Sequence, residues 1–158
     1  MSGSVLNPIC RGLVGYISFL APCTASPVYT EYLLYEPLYR IATAQGFKVR
    51  AEVPVIYGPK RAGDHKRIDF VLEKNYIALA LELKWIKNQN PNISKDVEKL
   101  KTYNTHIKDA AGYVILFGKY ADVASAKPVY AGSKLGNGKI VHWDSGKTHY
   151  ACSWVKFT

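Results

Sequence analysis

Residues 76–85, YIALALELKW, are apolar at all but two positions. A half-exposed strand alternates apolar and polar side chains; a run this long and this apolar suits a central strand covered on both faces. The two interruptions are Glu82 and Lys84. Residues two apart on a strand project from the same face, so these charges share one side while Leu81, Leu83 and Trp85 take the other. A carboxylate and an ammonium in such a strand are costly to bury unless they pair with each other, meet a metal, or reach solvent in a cleft.

The rest of the chain supplies neighbours for that strand. Leu6, Ile9, Leu13, Ile17 and Leu20 recur every three or four residues, which predicts a helix capped at Asn7-Pro8 and ended by Pro22. That reading is preferred to a secretory signal, although the apolar stretch 12–22 follows Arg11. A second helix is expected from Ser26-Pro27 to Gly46, kinked or restarted at Pro37. Alternation of Phe47, Val49, Ala51, Val53 and Val55 predicts a strand over 47–57. Residues 68–73 read as another strand, joined to 76–85 by a tight turn at Lys74-Asn75. Ser94 is expected to cap a helix over 95–108, placed by Val97, Leu100 and Ile107. A buried strand follows at 113–117. After Gly118 only short strands between turn residues are legible.

Size and composition agree with one folded unit. The chain has 158 residues, 48% hydrophobic and 21% charged, which suits a single globular domain. No apolar run reaches the roughly 18–20 residues of a membrane span, so no membrane partner is expected. Three cysteines without a CxxC pair argue against a disulfide scaffold or zinc knuckle. A reducing, intracellular location is expected, a secreted effector being the alternative. Lys and Arg number 21 against 12 Asp and Glu, a net charge of +9, which points to a polyanionic partner such as nucleic acid. The basic loop Lys60, Arg61, Lys66 and Arg67, with Lys95 and Lys99 on the following helix, are the candidate phosphate contacts. For the helix lysines, a mixed solvent face beside Asp96 and Glu98 is the competing reading.

The chemistry centres on Asp69, Glu82 and Lys84. The turn at Lys74-Asn75 folds Asp69 back beside the Glu82 end of the hairpin. Two carboxylates converging with a backbone carbonyl, that of Leu83, suit Mg²⁺ or Mn²⁺, which take oxygen ligands and keep several waters. Lys84 beside them is placed to orient or deprotonate a water, or to offset charge on a phosphate. That is equipment for metal-assisted phosphodiester hydrolysis. The bland readings are a salt-bridged sheet face for Glu82 and Lys84, a turn cap for Asp69, and a packing stripe for Tyr29, Tyr32, Tyr35 and Tyr39.

Asp69 followed by Glu82-Leu83-Lys84 resembles the PD-(D/E)XK nuclease superfamily, which includes restriction endonucleases and archaeal Holliday-junction resolvases. The resemblance covers residues 28–118, a little over half of the chain. It departs from the motif at Ile68, where the name has Pro, and is silent on the first helix and the tail. It implies an α/β fold: a restriction-endonuclease-like core of helix, three strands, helix and strand on a mixed sheet, here with an extra N-terminal helix and a β-rich C-terminal tail. It also implies a Mg²⁺-dependent DNA endonuclease, with Asp69 and Glu82 on the metal, Lys84 assisting the attacking water, and a dimeric assembly. Glu31 resembles the acid that family members often carry on the first core helix to complete the metal site, which implies a catalytic role holding a second metal or its water, with Glu36 as competitor; a first-turn acid favoured by the helix dipole alone is the bland reading of Glu31. The alternative function is a non-catalytic nucleic-acid-binding protein that keeps the fold.

Overall fold

The computed structural model describes residues 2–23, 31–55, 66–136, 138–142 and 150–157. Helix α1 spans Ser2–Cys23. A 3-10 turn at Glu31–Leu34 leads into α2, Tyr35–Ala44. Strands β1 (Lys48–Pro54), β2 (Arg67–Lys74) and β3 (Ile77–Trp85) form an antiparallel meander. Helix α3 (Ser94–His106) then crosses over to β4 (Ala110–Lys119), which runs parallel to β3. After α4 (Tyr120–Ser125) come the small hairpin β5 (Val129–Tyr130) and β6 (Ser133–Lys134), then β7 (Val141–His142) and β8 (Tyr150–Phe157). The protein is thus α/β, with a mixed six-stranded sheet in the order β1-β2-β3-β4-β8-β7.

Both faces of β3 are covered, as its composition requires. Leu79, Leu81 and Leu83 pack with Leu6, Ile9 and Leu13 of α1 and Leu38 of α2. Ala80 lies in the opposite cluster with Val97, Leu100 and Tyr103 of α3. The same division runs through β4, where Tyr113, Ile115 and Phe117 join the first cluster and Val114 and Leu116 the second. Among the described residues no helix is long and apolar enough to cross a membrane.

Several expectations are corrected. Helix α1 begins at Ser2, not at an Asn7 cap, and Pro8 is exposed within its second turn. Burial of Leu6 and Ile9 on one apolar stripe outweighs the backbone bond that Pro8 removes. The Ser26-Pro27 start of the second helix lies outside the described residues. Pro37 falls in the first turn of α2, where its missing N–H has no helical partner, and the restart is the 3-10 turn just upstream. The β2–β3 turn is Asn75-Tyr76, one residue later than expected, with φ of 49° and 66°. Ser94 provides no side-chain cap for α3; its own N–H is held by Asn92 Oδ1 at 3.0 Å.

The larger correction concerns the end of the chain. The β-rich tail belongs to the central sheet: β8 pairs with β4 from Gly112↔Phe157 to Lys119↔Tyr150. Cys152 and Trp154 join the α1 side of the core, and Ala151 and Val155 the α3 side. The hydrophobic core therefore draws on the first helix and the tail as well as on residues 28–118.

Candidate active site

The β2–β3 ladder runs from Lys74↔Ile77 to Phe70↔Leu81. One step further along that register, Asp69 and Glu82 stand opposite each other, and there the strands part. The N–H of Leu83, on the β2 edge of β3, donates to Asp69 Oδ2 at 2.7 Å instead of to a strand backbone. Two residues on, the N–H of Trp85 donates to Glu31 Oε1 at 3.0 Å. Carboxylates from β2 and from the 3-10 turn thus line the edge that β2 has left. The N–H and C=O of one strand residue share an edge, so the carbonyl of Leu83 opens onto the same notch.

From the α2 side, the Tyr35 hydroxyl lies 2.8 Å from Asp69 Oδ1 and 3.0 Å from Glu52 Oε1. One phenolic proton faces two carboxylates. Burial, then the charge of Asp69, pushes Tyr35 far above its ordinary value, so it remains a donor. Burial likewise raises Asp69, against the opposing bonds from Leu83 and Tyr35. Glu52 has a φ of 52°, a left-handed conformation that costs a side chain of its kind and that clusters at functional positions.

From the α3 side, Asp96 and Lys99 descend onto β3. Glu82 is 1% exposed. Its Oε2 is ion-paired with the Lys99 ammonium, and its Oε1 has no hydrogen-bond partner among the described residues. Burial, and next the charge of Asp69, raises the Glu82 carboxyl to about 8, with Lys99 opposing. For Lys99, burial pulls downward, but Glu82, Asp69 and Asp96 together hold the ammonium above its ordinary value. Lys99 also donates to the carbonyl of Arg67 at 3.1 Å and lies 3.8 Å from Asp96. Lys84 is turned to the other oxygen of Asp96, at 3.5 Å. The four charges therefore alternate in sign along the line Glu82, Lys99, Asp96, Lys84.

Of the residues expected from sequence, Asp69 and Glu82 stand opposite each other at the open edge of β3, where Asp69 accepts the Leu83 N–H; Glu31 accepts the Trp85 N–H two residues on, and Lys84 lies on the α3 face. Glu36 is instead exposed and paired with Arg40. Lys99 is a partner of the buried carboxylate, not a free phosphate contact or a solvent-facing residue. Lys66, Arg67 and Lys95 are exposed, as a phosphate-binding surface needs. Lys60 and Arg61 lie outside the described residues. Tyr35, Glu52 and Asp96 were missed as site residues. Asp96 and Lys99, spaced to share a helix face, border the apolar positions Val97 and Leu100, a signal that could have found them; Glu52 gives no local signal.

Among the described residues, no three His, Cys, Asp or Glu side chains converge to hold a metal ion. Asp69, Glu82 with its unpartnered Oε1, and the Leu83 carbonyl could nonetheless hold a hydrated Mg²⁺, which binds through one or two carboxylates and keeps waters elsewhere. The residues present fit such an ion, with Lys99 as its competitor at Glu82. Comparison of the chain with protein-family models, curated proteins and solved structures finds no match.

Proposed function

We propose that this protein is a metal-dependent endonuclease of the PD-(D/E)XK type that hydrolyses phosphodiester bonds in DNA. The observation that carries the reading is Glu82: a carboxylate 1% exposed in the middle of the central strand, with one oxygen unpartnered, beside Asp69 where β2 and β3 separate. A buried acceptor left unmet by the described residues calls for a water or an ion as its partner. The element order, helix, three antiparallel strands, crossover helix and parallel strand, supports a restriction-endonuclease-like core.

In this reading Asp69, Glu82 and the Leu83 carbonyl hold Mg²⁺ or Mn²⁺. A divalent ion there supplies charge stabilisation and a more acidic bound water. Tyr35 keeps Asp69 in place, and Glu31 holds the Trp85 backbone so that β3 stays straight past the end of β2. Lys84 is the lysine positioned to assist the attacking water. Lys66, Arg67 and Lys95 bring the phosphate backbone in, favoured by the net charge of +9. A two-fold dimer would present two such sites to two strands; sedimentation with and without DNA tests it.

A second reading, a nucleic-acid-binding protein without catalysis, is favoured by the internal pairing of Lys99 with Glu82 and of Lys84 with Asp96. Supercoiled plasmid with Mg²⁺, Mn²⁺ or EDTA separates the two. Cleavage is expected only with metal, and Asp69→Asn and Glu82→Gln should each lose at least about 100-fold. Cleavage retained by both purified variants would overturn the site. DNA binding with no cleavage under any metal would establish the second reading.

A further inference from the structure

At the C-terminal ends of the parallel pair β3 and β4, Trp85, Ile86, Lys87, Lys119 and Asp122 line a pocket of about 270 Å³. In open α/β sheets the carboxyl ends of parallel strands are where ligands bind. Ligand pockets run from roughly 300 to 1,000 Å³, so this one suits a single small unit.

Its base is built closely. The N–H of Ile86 donates to the carbonyl of Phe117 at 2.9 Å, which carries the β3–β4 pairing to the pocket. A Cβ on Gly118 would lie 2.8 Å from the Ile86 carbonyl oxygen, so this approach requires glycine. The Trp85 indole is backed by Phe117 and Tyr150, with ring centroids at 5.2 and 6.0 Å, which makes it a supported aromatic wall. Lys87 and Lys119 are exposed and form no ion pair among the described residues; neither does Asp122. The lining therefore has a net positive charge, one carboxylate acceptor and one aromatic surface.

We propose that this pocket is a nucleotide subsite, in which Lys87 and Lys119 take a phosphate, Trp85 takes the base, and Asp122 accepts from a base N–H. Each lining group matches one part of a nucleotide: ammonium to phosphate, indole to base face, carboxylate to donor. The pocket lies along β3 from the candidate site, Glu82 to Ile86 spanning about 13 Å at roughly 3.3 Å per residue. It thus takes a nucleotide of the strand flanking the phosphodiester at Asp69 and Glu82. Naming the strand rests on the nuclease reading; the pocket's chemistry does not.

The test is calorimetric titration of the full chain in EDTA and low salt with (dT)5, dTMP, deoxyribose 5-phosphate and inorganic phosphate. dTMP should bind at least about fivefold tighter than deoxyribose 5-phosphate or phosphate, because a stacked base adds affinity. (dT)5 should bind tighter than dTMP. The double variant Lys87→Gln/Lys119→Gln should weaken (dT)5 by at least about tenfold, while Lys108→Gln, at the opposite end of β4, should stay within about twofold. A double variant that binds like the wild type overturns the subsite. Equal affinity for dTMP and (dT)5 overturns the assignment to a strand. Because no step needs metal, loss of this pocket with plasmid cleavage intact leaves the nuclease reading standing, and binding here without cleavage anywhere removes that reading alone.

Discussion

The Lys99 ammonium of α3 rests on the carboxylate of Glu82, the one charged residue of the described structure that is fully buried. Removing one partner of a buried pair costs roughly 3–5 kcal/mol, because the other charge is left uncompensated. Glu82 escapes part of that cost by taking a proton, so the loss depends on pH. Lys99→Met should therefore lower the melting temperature more at pH 8.5 than at pH 6. Lys84→Met, removing a partly exposed partner of Asp96, should cost no more than about 1 kcal/mol. Mn²⁺ should raise the melting temperature of Lys99→Met more than that of the wild type, since a cation then fills the lysine's place. Thermal melts of the three proteins with and without Mn²⁺ check this; equal responses would mean metal and lysine do not compete.

Glu82 also sets a pH dependence in the metal-free protein. Its carboxyl is raised from 4.5 to about 8 by burial and by Asp69. Between those values the folded state keeps a proton that the unfolded chain has released. Its contribution to stability is therefore full below the unfolded value, falls as pH rises through the window, and is lost above the folded value. Asp69, raised in the same direction, adds to the slope. The melting temperature in EDTA should fall between pH 5 and pH 8, and Glu82→Gln should flatten the profile. A wild-type profile that rises over this range would contradict the raised value.

Glu31 distinguishes a backbone role from a metal role. Its carboxylate accepts the Trp85 N–H, and glutamine offers the same acceptor without the charge. Glu31→Gln should keep most of the stability and cleavage, whereas Glu31→Ala should cost about 1–3 kcal/mol by orphaning that N–H. Cleavage lost in Glu31→Gln with stability unchanged would place Glu31 on the metal instead.

For DNA binding, Lys66, Arg67 and Lys95 are the exposed candidates among the described residues, Arg67 lying 4.0 Å from Glu52. Changing each to Gln should reduce the slope of log affinity against log salt by about 0.9 per phosphate contact removed. Binding isotherms at four or five salt concentrations give the slope. An unchanged slope in the triple variant would leave these side chains merely solvated.

The β2–β3 turn offers a test of stability away from the site. Tyr76 is fully exposed with a φ of 66°, where a side chain is disfavoured and glycine is not. Tyr76→Gly produces the Asn-Gly pair preferred in such hairpins. It should stabilise the fold by about 0.5–1 kcal/mol, the gain from removing left-handed strain less the added flexibility of the unfolded chain. A lowered denaturation midpoint would show that Tyr76 contributes something beyond the turn.

Local pattern carried the sequence reading furthest where one element had to answer to one environment. The apolar run at 76–85 could only lie between two layers, and β3 does. The two charges within it could only be paired or functional, and Glu82 and Lys84 are paired. The expected turn after 68–73 brought Asp69 toward the Glu82 end of the hairpin, and the shift of that turn to Asn75-Tyr76 sets the two residues opposite each other. The Asn7-Pro8 cap failed for the opposite reason: a local helix-start signal lost to a longer apolar stripe that the sheet buries.

Local pattern thus reached as far as the central strand, the hairpin that brings Asp69 toward the Glu82 end, and the charges within that strand. Which cation meets which carboxylate is settled by packing between distant elements. Lys99 reaches Glu82, and Lys84 turns to Asp96, because α3 packs across β3 with Val97 and Leu100 inward, which brings Asp96 and Lys99 down over the strand. Only the tertiary structure placed Tyr35 between Glu52 and Asp69, Glu31 on the edge that β2 leaves, and β8 beside β4. Those contacts join residues 17 to 54 positions apart, or strands separated by a whole crossover. Periodicity reports which face of an element is buried, not which distant element buries it, because that choice is made by the packing of the whole chain.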